Sequence, residues 1–200
     1  EVKYIGLCLI VLLAMLTAVP ALAQDVMRID RAEAAQSDWS AEAPPRQGWV
    51  PVELRDLWEK RWPDHDGVVW YRVRWQQADA SQPIGLLLDY TCLAAAVSLN
   101  GQPIDRDASL VEPLSRKWHV PRYYTVPPAL LREGQNELLV RVSGLAAYQP
   151  AFGTVSVGDP LVLRDTYERE RFARRDMQVF DAAVGLVLAA MIGIFWLLRP

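Results

Sequence analysis

The sequence is poor in the residues that carry most metal and redox chemistry. It holds two histidines and two cysteines among 200 residues, which excludes a disulfide-stapled miniprotein and a multi-cysteine zinc site. The motifs HExxH, CxxC, GxSxG and GxxxxGK do not occur in it. The sequence therefore predicts neither an enzymatic activity nor a metal or cofactor for this stretch of chain.

An excess of charge of one sign is also missing. The net charge is −3 and the isoelectric point is near 5.4, so no overall attraction to nucleic acid is expected. Hydrophobic residues make up 52% and charged residues 22%, which is typical of a globular protein with one sizeable core. Fourteen prolines and eight tryptophans favour short strands joined by turns.

The longest apolar runs lie at the two ends. Near the start, Lys3 precedes a long apolar stretch that ends at Pro20, and Ala21 and Ala23 are the small residues that signal peptidases accept. Residues 1–23 therefore predict a secretory signal peptide that is cleaved after Ala23. An uncleaved signal anchor is the alternative interpretation.

The second apolar run closes the sequence at residues 177–198. About 20 helical residues cross a hydrocarbon core, and this run meets that length with Asp181 as its only charge. Trp196 and Arg199 would anchor its cytoplasmic end. The run predicts a transmembrane helix, and the alternative is a buried core helix of a soluble protein.

The arginines just before this run oppose the usual orientation rule. Arg169, Arg171, Arg174 and Arg175 would lie outside the cytoplasm after signal cleavage, whereas positive residues favour the inside. A cleaved signal commits the following sequence to export, so we expect an exported domain. Because the sequence begins at Glu1 and ends soon after the apolar run, we also expect a fragment of a longer protein.

Two segments lack strand alternation. Residues 24–47 are polar and alanine-rich, which predicts a linker with a short helix around residues 31–35. Residues 164–176 are densely charged and lead directly into the second apolar run, which predicts a helical connector to the membrane.

Between these segments the sequence alternates as strands do. Residues 68–76 alternate, with Val69, Tyr71, Val73 and Trp75 on one face and the residues between them on the other. Asn100–Gly101 is the strongest hairpin signal. Further strands are predicted at residues 84–90, 93–99, 137–143 and 153–163. Such spacing predicts a mainly β sandwich over residues 48–163.

Three motifs resemble a known module in their order. Residues 67–72 (GVVWYR), 97–102 (VSLNGQ) and 134–142 (GQNELLVRV) are similar to the galactose-binding-like jelly roll at the front of many family 2 glycoside hydrolases. The residues that carry the motifs are Trp70, Tyr71, Arg72, Asn100, Gly101, Gly134 and Asn136. The resemblance implies a jelly-roll β-sandwich, and the motif residues have fold-making roles. The catalytic carboxylates of those hydrolases belong to a separate barrel domain.

The order of segments resembles a receptor. A signal peptide, a jelly roll, a charged helix and a membrane span are similar to the sensor end of bacterial seven-transmembrane receptors with diverse intracellular signalling modules. Residues 106–116 and 121–124 are similar to the kinase-linked sensors of that family. The resemblance implies a periplasmic sensor domain at the inner membrane. Its effector would be a histidine kinase, or alternatively a diguanylate cyclase, encoded beyond Pro200.

A dense aromatic and basic segment, residues 118–124, is the main candidate binding site. Tryptophan and tyrosine faces stack on sugar rings, and arginine or aspartate can fix hydroxyls or carboxylates. The candidate ligand-binding residues are Trp58, Trp62, Asp64, Trp118, His119, Arg122 and Tyr123. The expected partners are the membrane and a carbohydrate or other small periplasmic ligand, and a homodimer is left open. Packing of these aromatics into the core is the alternative, as is a membrane-tethered carbohydrate-binding module without signalling output.

Three remaining features receive structural interpretations. Asp64–His65–Asp66 lies between proline and glycine and is typical of a solvated turn rather than a metal site. Asp105 and Asp107 are too few to predict calcium binding. Cys92 follows apolar strand residues and is expected to be a buried, inert thiol.

Overall fold

Alternating apolar residues build most of the strands in the computed structural model, which describes residues 26–117 and 120–198. Within these residues the strands are β1 Met27–Ile29, β2 Arg31–Ser37, β3 Val50–Glu53, β4 Asp56–Leu57, β5 Gly67–Gln77, β6 Ile84–Leu88, β7 Ala94–Leu99, β8 Gln102–Arg106, β9 Arg122–Val126, β10 Gly134–Gly144, β11 Ala151–Phe152 and β12 Val155–Gly158. Short 3₁₀ turns occupy Trp58–Lys60, Pro128–Leu130 and Ala146–Tyr148. The predicted signal peptide, residues 1–23, and Arg199 lie outside the described residues.

The strands form two antiparallel sheets that face each other. One has the order β1-β12-β6-β9, and the other has the order β3-β2-β5-β10-β7-β8. Strands β4 and β11 form a separate short pair. The predicted mainly β jelly-roll sandwich is therefore confirmed.

The longest strands, β5 and β10, organise the core. They pair along their whole length, from Gly67 opposite Gly144 to Gln77 opposite Gly134. The face of β5 that carries Val69, Tyr71, Val73 and Trp75 lies in the core, where the ring of Tyr71 stacks on Phe152 with centroids 4.5 Å apart. Burying such apolar surface is the dominant favourable term in folding.

The opposite face of this sheet is also partly covered. Trp70 is buried there although it points away from the core side occupied by Tyr71. The guanidinium of Arg141 donates to the carbonyls of Trp39 and Leu110, at 3.0 and 3.3 Å, and so ties two loops across that face. Burial lowers the pKa of Arg141. The part of the outer face around Trp70 and Arg141 is thus packed rather than solvated.

Arg72 marks where this cover ends. Its guanidinium lies 3.8 Å from the ring centroid of Trp49 and pairs with Glu33 of β2 at 3.3 Å. Arg74 and Glu137 extend the same charged row across β5 and β10 at 3.0 Å. These cross-strand pairs fix the register of neighbouring strands.

The hairpin and strand-start motifs have fold-making roles. Asn100 and Gly101 have φ values of +52° and +84°, as the turn between β7 and β8 requires. The amide of Asn100 donates to Asn136 at 2.8 Å, and Asn136 in turn accepts from the backbone N–H of Arg132 at 2.9 Å. Gly134, with φ of +85°, turns the chain into β10.

The prediction of a linker with a short helix at residues 24–47 is wrong. The segment contains β1 and β2, and β2 pairs with both β3 and β5. Ala34 lies on β2 and is fully buried in the core cluster. Alanine has little strand preference of its own, so here the tertiary pairing decides.

A long helix follows the sandwich and begins earlier than the predicted connector. Helix α1 spans Pro160–Arg171, a π-helical segment spans Phe172–Asp176, and helix α2 spans Met177–Leu197. The carboxylate of Asp159 caps α1 by accepting from the N–H of Leu161 at 2.7 Å. Pro160 at the first helical position completes the start signal, which the strand prediction for residues 153–163 overlooked.

Helix α1 docks on the four-stranded sheet and α2 leaves it. Leu163 is 2% exposed against β6, where Gly85 lacks the side chain that would obstruct it: a Cβ there would lie 3.1 Å from Leu163. Beyond the dock, apolar side chains of α2 such as Phe195 are about three-quarters exposed. Among the described residues, this helical stretch is long and apolar enough to cross a membrane.

The substitution Leu163→Ala should weaken the packing of α1 against the four-stranded sheet. The change removes a buried side chain and leaves a cavity, which costs about 2–4 kcal/mol of docking free energy. Hydrogen exchange of the α1 amides should accelerate accordingly. Leu161→Ala, at a side chain that is 76% exposed on the same helix, should leave exchange unchanged. Equal exchange in both variants would show that α1 is held by other contacts.

Candidate functional site

A groove of about 650 Å³ lies between the sandwich and the helix. One wall is β9 with the loop before it, and the other includes Tyr167 of α1 and Arg175 of the π-helical segment. The volume is in the range of small-ligand sites. Because both parts of the molecule line it, the groove exists in this form only while α1 is docked.

A buried ion pair forms the base of the groove. Arg122, at the start of β9, is 7% exposed and its guanidinium donates to Asp107 at 3.1 Å, to Asp105 at 3.3 Å and to the hydroxyl of Thr91 at 2.9 Å. Asp107 also pairs with the ammonium of Lys117 at 2.6 Å. These bonds leave Arg122 a fixed orientation and connect β9 with the loop after β8.

The electrostatics of the pair follow from burial and mutual contact. Burial alone would raise the pKa of Asp107, but the bonds from Arg122 and Lys117 outweigh it and hold that pKa below its ordinary value of 3.8. Burial would likewise lower the pKa of Arg122, and Asp107 reverses the direction. Burial raises the pKa of Tyr124, whose hydroxyl donates to Asp105 at 2.8 Å. Both partners of the pair are therefore charged at neutral pH.

Two tyrosines join the walls. The rings of Tyr123 and Tyr167 stack with centroids 5.8 Å apart and an interplanar angle of 29°. The hydroxyl of Tyr123 donates to the carbonyl of Pro160 at 2.8 Å, at the first turn of α1. The aromatic part of the groove is therefore also a contact between the sandwich and the helix.

A second tether lies at the π-helical segment. The guanidinium of Arg174 pairs with Asp89 at 2.6 Å, just after β6, and with Glu170 at 2.7 Å. It also donates to the backbone carbonyl of Asp89 at 3.2 Å. The segment that precedes the apolar helix is thus attached to the sheet by a partly buried ion pair.

Only some of the predicted site residues lie at the groove. Arg122 and Tyr123 line the groove. Trp58, Trp62 and Asp64 do not: Trp58 is a core residue, 1% exposed, whose indole N–H donates to Tyr71 at 2.8 Å. Trp118 and His119 lie outside the described residues.

Other groove residues were missed by sequence reasoning. Arg116 and Lys117 directly precede the segment that the sequence singled out, and Tyr167 and Arg175 lie in the predicted connector. The four-residue spacing of Leu163 and Tyr167 is the one local signal that part of this helix faces the sandwich. Nothing in the sequence pairs it with β9.

The remaining sequence candidates have structural roles. His65 bonds to Gln36 at 2.8 Å and Asp66 accepts from the N–H of Ala146 at 2.7 Å, as in a hydrogen-bonded turn. Asp107 is engaged by cationic side chains. Cys92 is 7% exposed, and burial raises the pKa of its thiol to about 11, so it stays protonated and unreactive at neutral pH.

No protein-family model and no curated protein matches this chain. Among solved structures, a β-glucuronidase from an uncultured Clostridium species superposes with a TM-score of 0.52 at 16% identity over 71% of this chain and 30% of the enzyme. The β-glucuronidase of Faecalibacterium prausnitzii gives a TM-score of 0.54 at 17% identity over 71% and 32%.

These likenesses show the fold. The chain contains a β-sandwich with the fold of a domain in these enzymes, as predicted. A calcium-binding mutant of Bacteroides uniformis β-glucuronidase 2 matches over 68% of this chain but only 18% of its own, with a TM-score of 0.51 and 16% identity. The chain thus spans less than a third of the length of these three enzymes.

Asp107→Asn should destabilise the sandwich in a pH-dependent way. Because the pKa of Asp107 is depressed by folding, its contribution is complete above the unfolded pKa of about 3.9 and is lost as the pH falls through the folded value. At pH 7 the variant should lose about 3 kcal/mol in urea unfolding, since Arg122 keeps a buried charge without its main partner. Its stability should also vary less than that of the natural chain below about pH 4.

The matched control is Asp64→Asn, which changes an exposed carboxylate. Its urea unfolding should match that of the natural chain at pH 7 and also below about pH 4. If Asp107→Asn behaved the same way, the ion pair would not stabilise the base of the groove.

Proposed function

We propose that this chain is the ligand-binding sensor part of a membrane receptor, with a carbohydrate bound in the groove between the sandwich and the helix. The observation that carries the proposal is the composition of the groove. Tyr123 belongs to the sandwich and Tyr167 to the helix, yet both line it. A ligand that contacts both parts favours the state in which they are docked.

The mechanism is a population shift. A ligand can contact Tyr167 and Arg175 beside the sandwich only while α1 is docked. The free energy of these contacts is therefore the difference between the ligand's binding free energies for the docked and the undocked state, and it sets how far binding shifts the equilibrium. The helix continues from Pro160 through to Leu197, which gives the docked segment a direct connection to the apolar part. Docking and release would then move the start of the membrane helix relative to the sandwich.

A carbohydrate is the proposed ligand class for two reasons. The fold is shared with domains of glycoside-acting enzymes, and the half-buried tyrosine rings that line the groove are of a residue type suited to packing on sugar rings. We propose binding rather than catalysis as the role of the groove. The sandwich would lie in the periplasm at the bacterial inner membrane, and the output module would be a histidine kinase or, alternatively, a diguanylate cyclase.

A simpler function uses the same features. The exposed apolar side chains of α2 would suffice to anchor the sandwich at a membrane as a tethered carbohydrate-binding module without output. In that case ligand binding would not alter the docking of α1. The two functions therefore differ in whether ligand binding changes the docking of α1 on the sheet.

The test uses the full chain in phosphatidylcholine nanodiscs. A glycan array first identifies a glycan that binds, and hydrogen exchange is then measured with and without that glycan. A bound glycan should slow hydrogen exchange of the α1 amides, because it stabilises the docked state. Tyr167→Ala should weaken glycan binding on the order of tenfold by removing one stacking face. Phe172→Ala, at a 56% exposed aromatic on the same helical stretch, should bind like the natural chain.

Two other results are informative. Glycan binding that leaves exchange of α1 unchanged would contradict the sensor and support the tethered module. An array on which the folded chain retains no glycan would contradict both.

A further inference from the structure

We infer that the groove selects an acidic sugar, whose carboxylate lies between the loop before β9 and the helix. The inference rests on the proposed function, because it names the chemical class of the carbohydrate. Its starting point is the charge of the lining: Arg116, Lys117, Arg122 and Arg175 contribute four cations, and Asp105 is the carboxylate among the lining residues. A groove with this excess favours an anion.

The charges at the base are already satisfied. Asp105 accepts from Arg122 at 3.3 Å and from the hydroxyl of Tyr124 at 2.8 Å. Arg122 is held mainly by Asp107, and the ammonium of Lys117 contacts the same carboxylate at 2.6 Å. These groups therefore shape the groove and contribute little free charge to a ligand.

Arg116 and Arg175 are different. Within the part of the chain that the structure describes, neither has an ion-pair or hydrogen-bond partner, and both are exposed. Arg116 belongs to the loop on the sandwich side, and Arg175 to the π-helical segment. An arginine fork matches a planar carboxylate through two parallel N–H···O bonds, so a carboxylate can be held from both walls.

The same groove supplies an apolar surface for a ring. Tyr123 and Tyr167 line it, and their own stacking keeps them in place. The hydroxyl of Tyr123 donates to Pro160 at 2.8 Å, so the two tyrosines offer a ligand the ring surface that their own stacking leaves uncovered. A sugar ring on the tyrosines with an acidic substituent toward the arginines uses both features, whereas a neutral sugar leaves the two guanidinium groups without a partner.

The test compares one sugar in two charge states. The full chain in phosphatidylcholine nanodiscs is titrated by calorimetry with digalacturonic acid and with its dimethyl ester, which has the same rings but no charge. The acid should bind on the order of tenfold more tightly. Arg116→Gln and Arg175→Gln should each reduce acid binding by about that factor and leave ester binding unchanged. Arg106→Gln, at an exposed arginine outside the groove, should change neither.

Each alternative result overturns a specific claim. If acid and ester bind equally and the arginine variants have no effect, the acidic specificity is wrong while carbohydrate binding stands. If the folded chain binds neither sugar, nor any neutral glycan on the array, the proposed function fails as well. If phosphatidylglycerol nanodiscs abolish the acid binding that phosphatidylcholine nanodiscs allow, the groove takes an anionic lipid headgroup in preference to the acidic sugar, and the inference is overturned.

Discussion

The buried ion pair of Arg122 and Asp107 is the interaction on which the rest of the site depends. Removing both charges from water is costly, and only close, multiple bonds offset that cost. Those bonds fix the start of β9 against the loop after β8, and they also hold Lys117. Tyr123 follows Arg122 directly in the chain, so the ion pair also fixes where Tyr123 meets α1. The pair therefore sets one wall of the groove and the docking surface of the helix together.

Much of the sandwich could be predicted because its central strands follow simple periodicity. In β5 and β10 apolar side chains alternate over long runs, and Asn100–Gly101 requires a tight hairpin. Strands β1 and β2 could not be predicted, because β1 is only three residues long and the alanines of β2 have no strong strand preference. Both strands are ordered by pairing with β3, β5 and β12. The start of α1 was open to prediction from Asp159–Pro160, which is a local capping signal.

The site was predictable only in part, for a related reason. Arg122 and Tyr123 stood out because aromatic and basic residues are dense there. Trp58 has the same residue chemistry as a sugar-binding aromatic, but its indole donates to Tyr71 inside the core. Composition does not distinguish these cases, because tryptophan serves both as core filler and as a polar-tipped surface residue. Arg175 lies far along the chain from β9 and reaches the groove only because helix α1 docks on the sheet, which no local pattern encodes.

Gly85 influences the width of the groove although it is not one of the lining residues. It does not touch the groove, yet its missing side chain lets Leu163 and Pro160 approach the sheet to within 3.1 Å of where a Cβ would stand. The distance between helix and sheet at this point thus depends on the absence of a side chain at Gly85. A methyl group at this position would move the helix outward and widen the space beside Tyr167. The width of the groove is therefore encoded in the sheet as well as in the residues that line it.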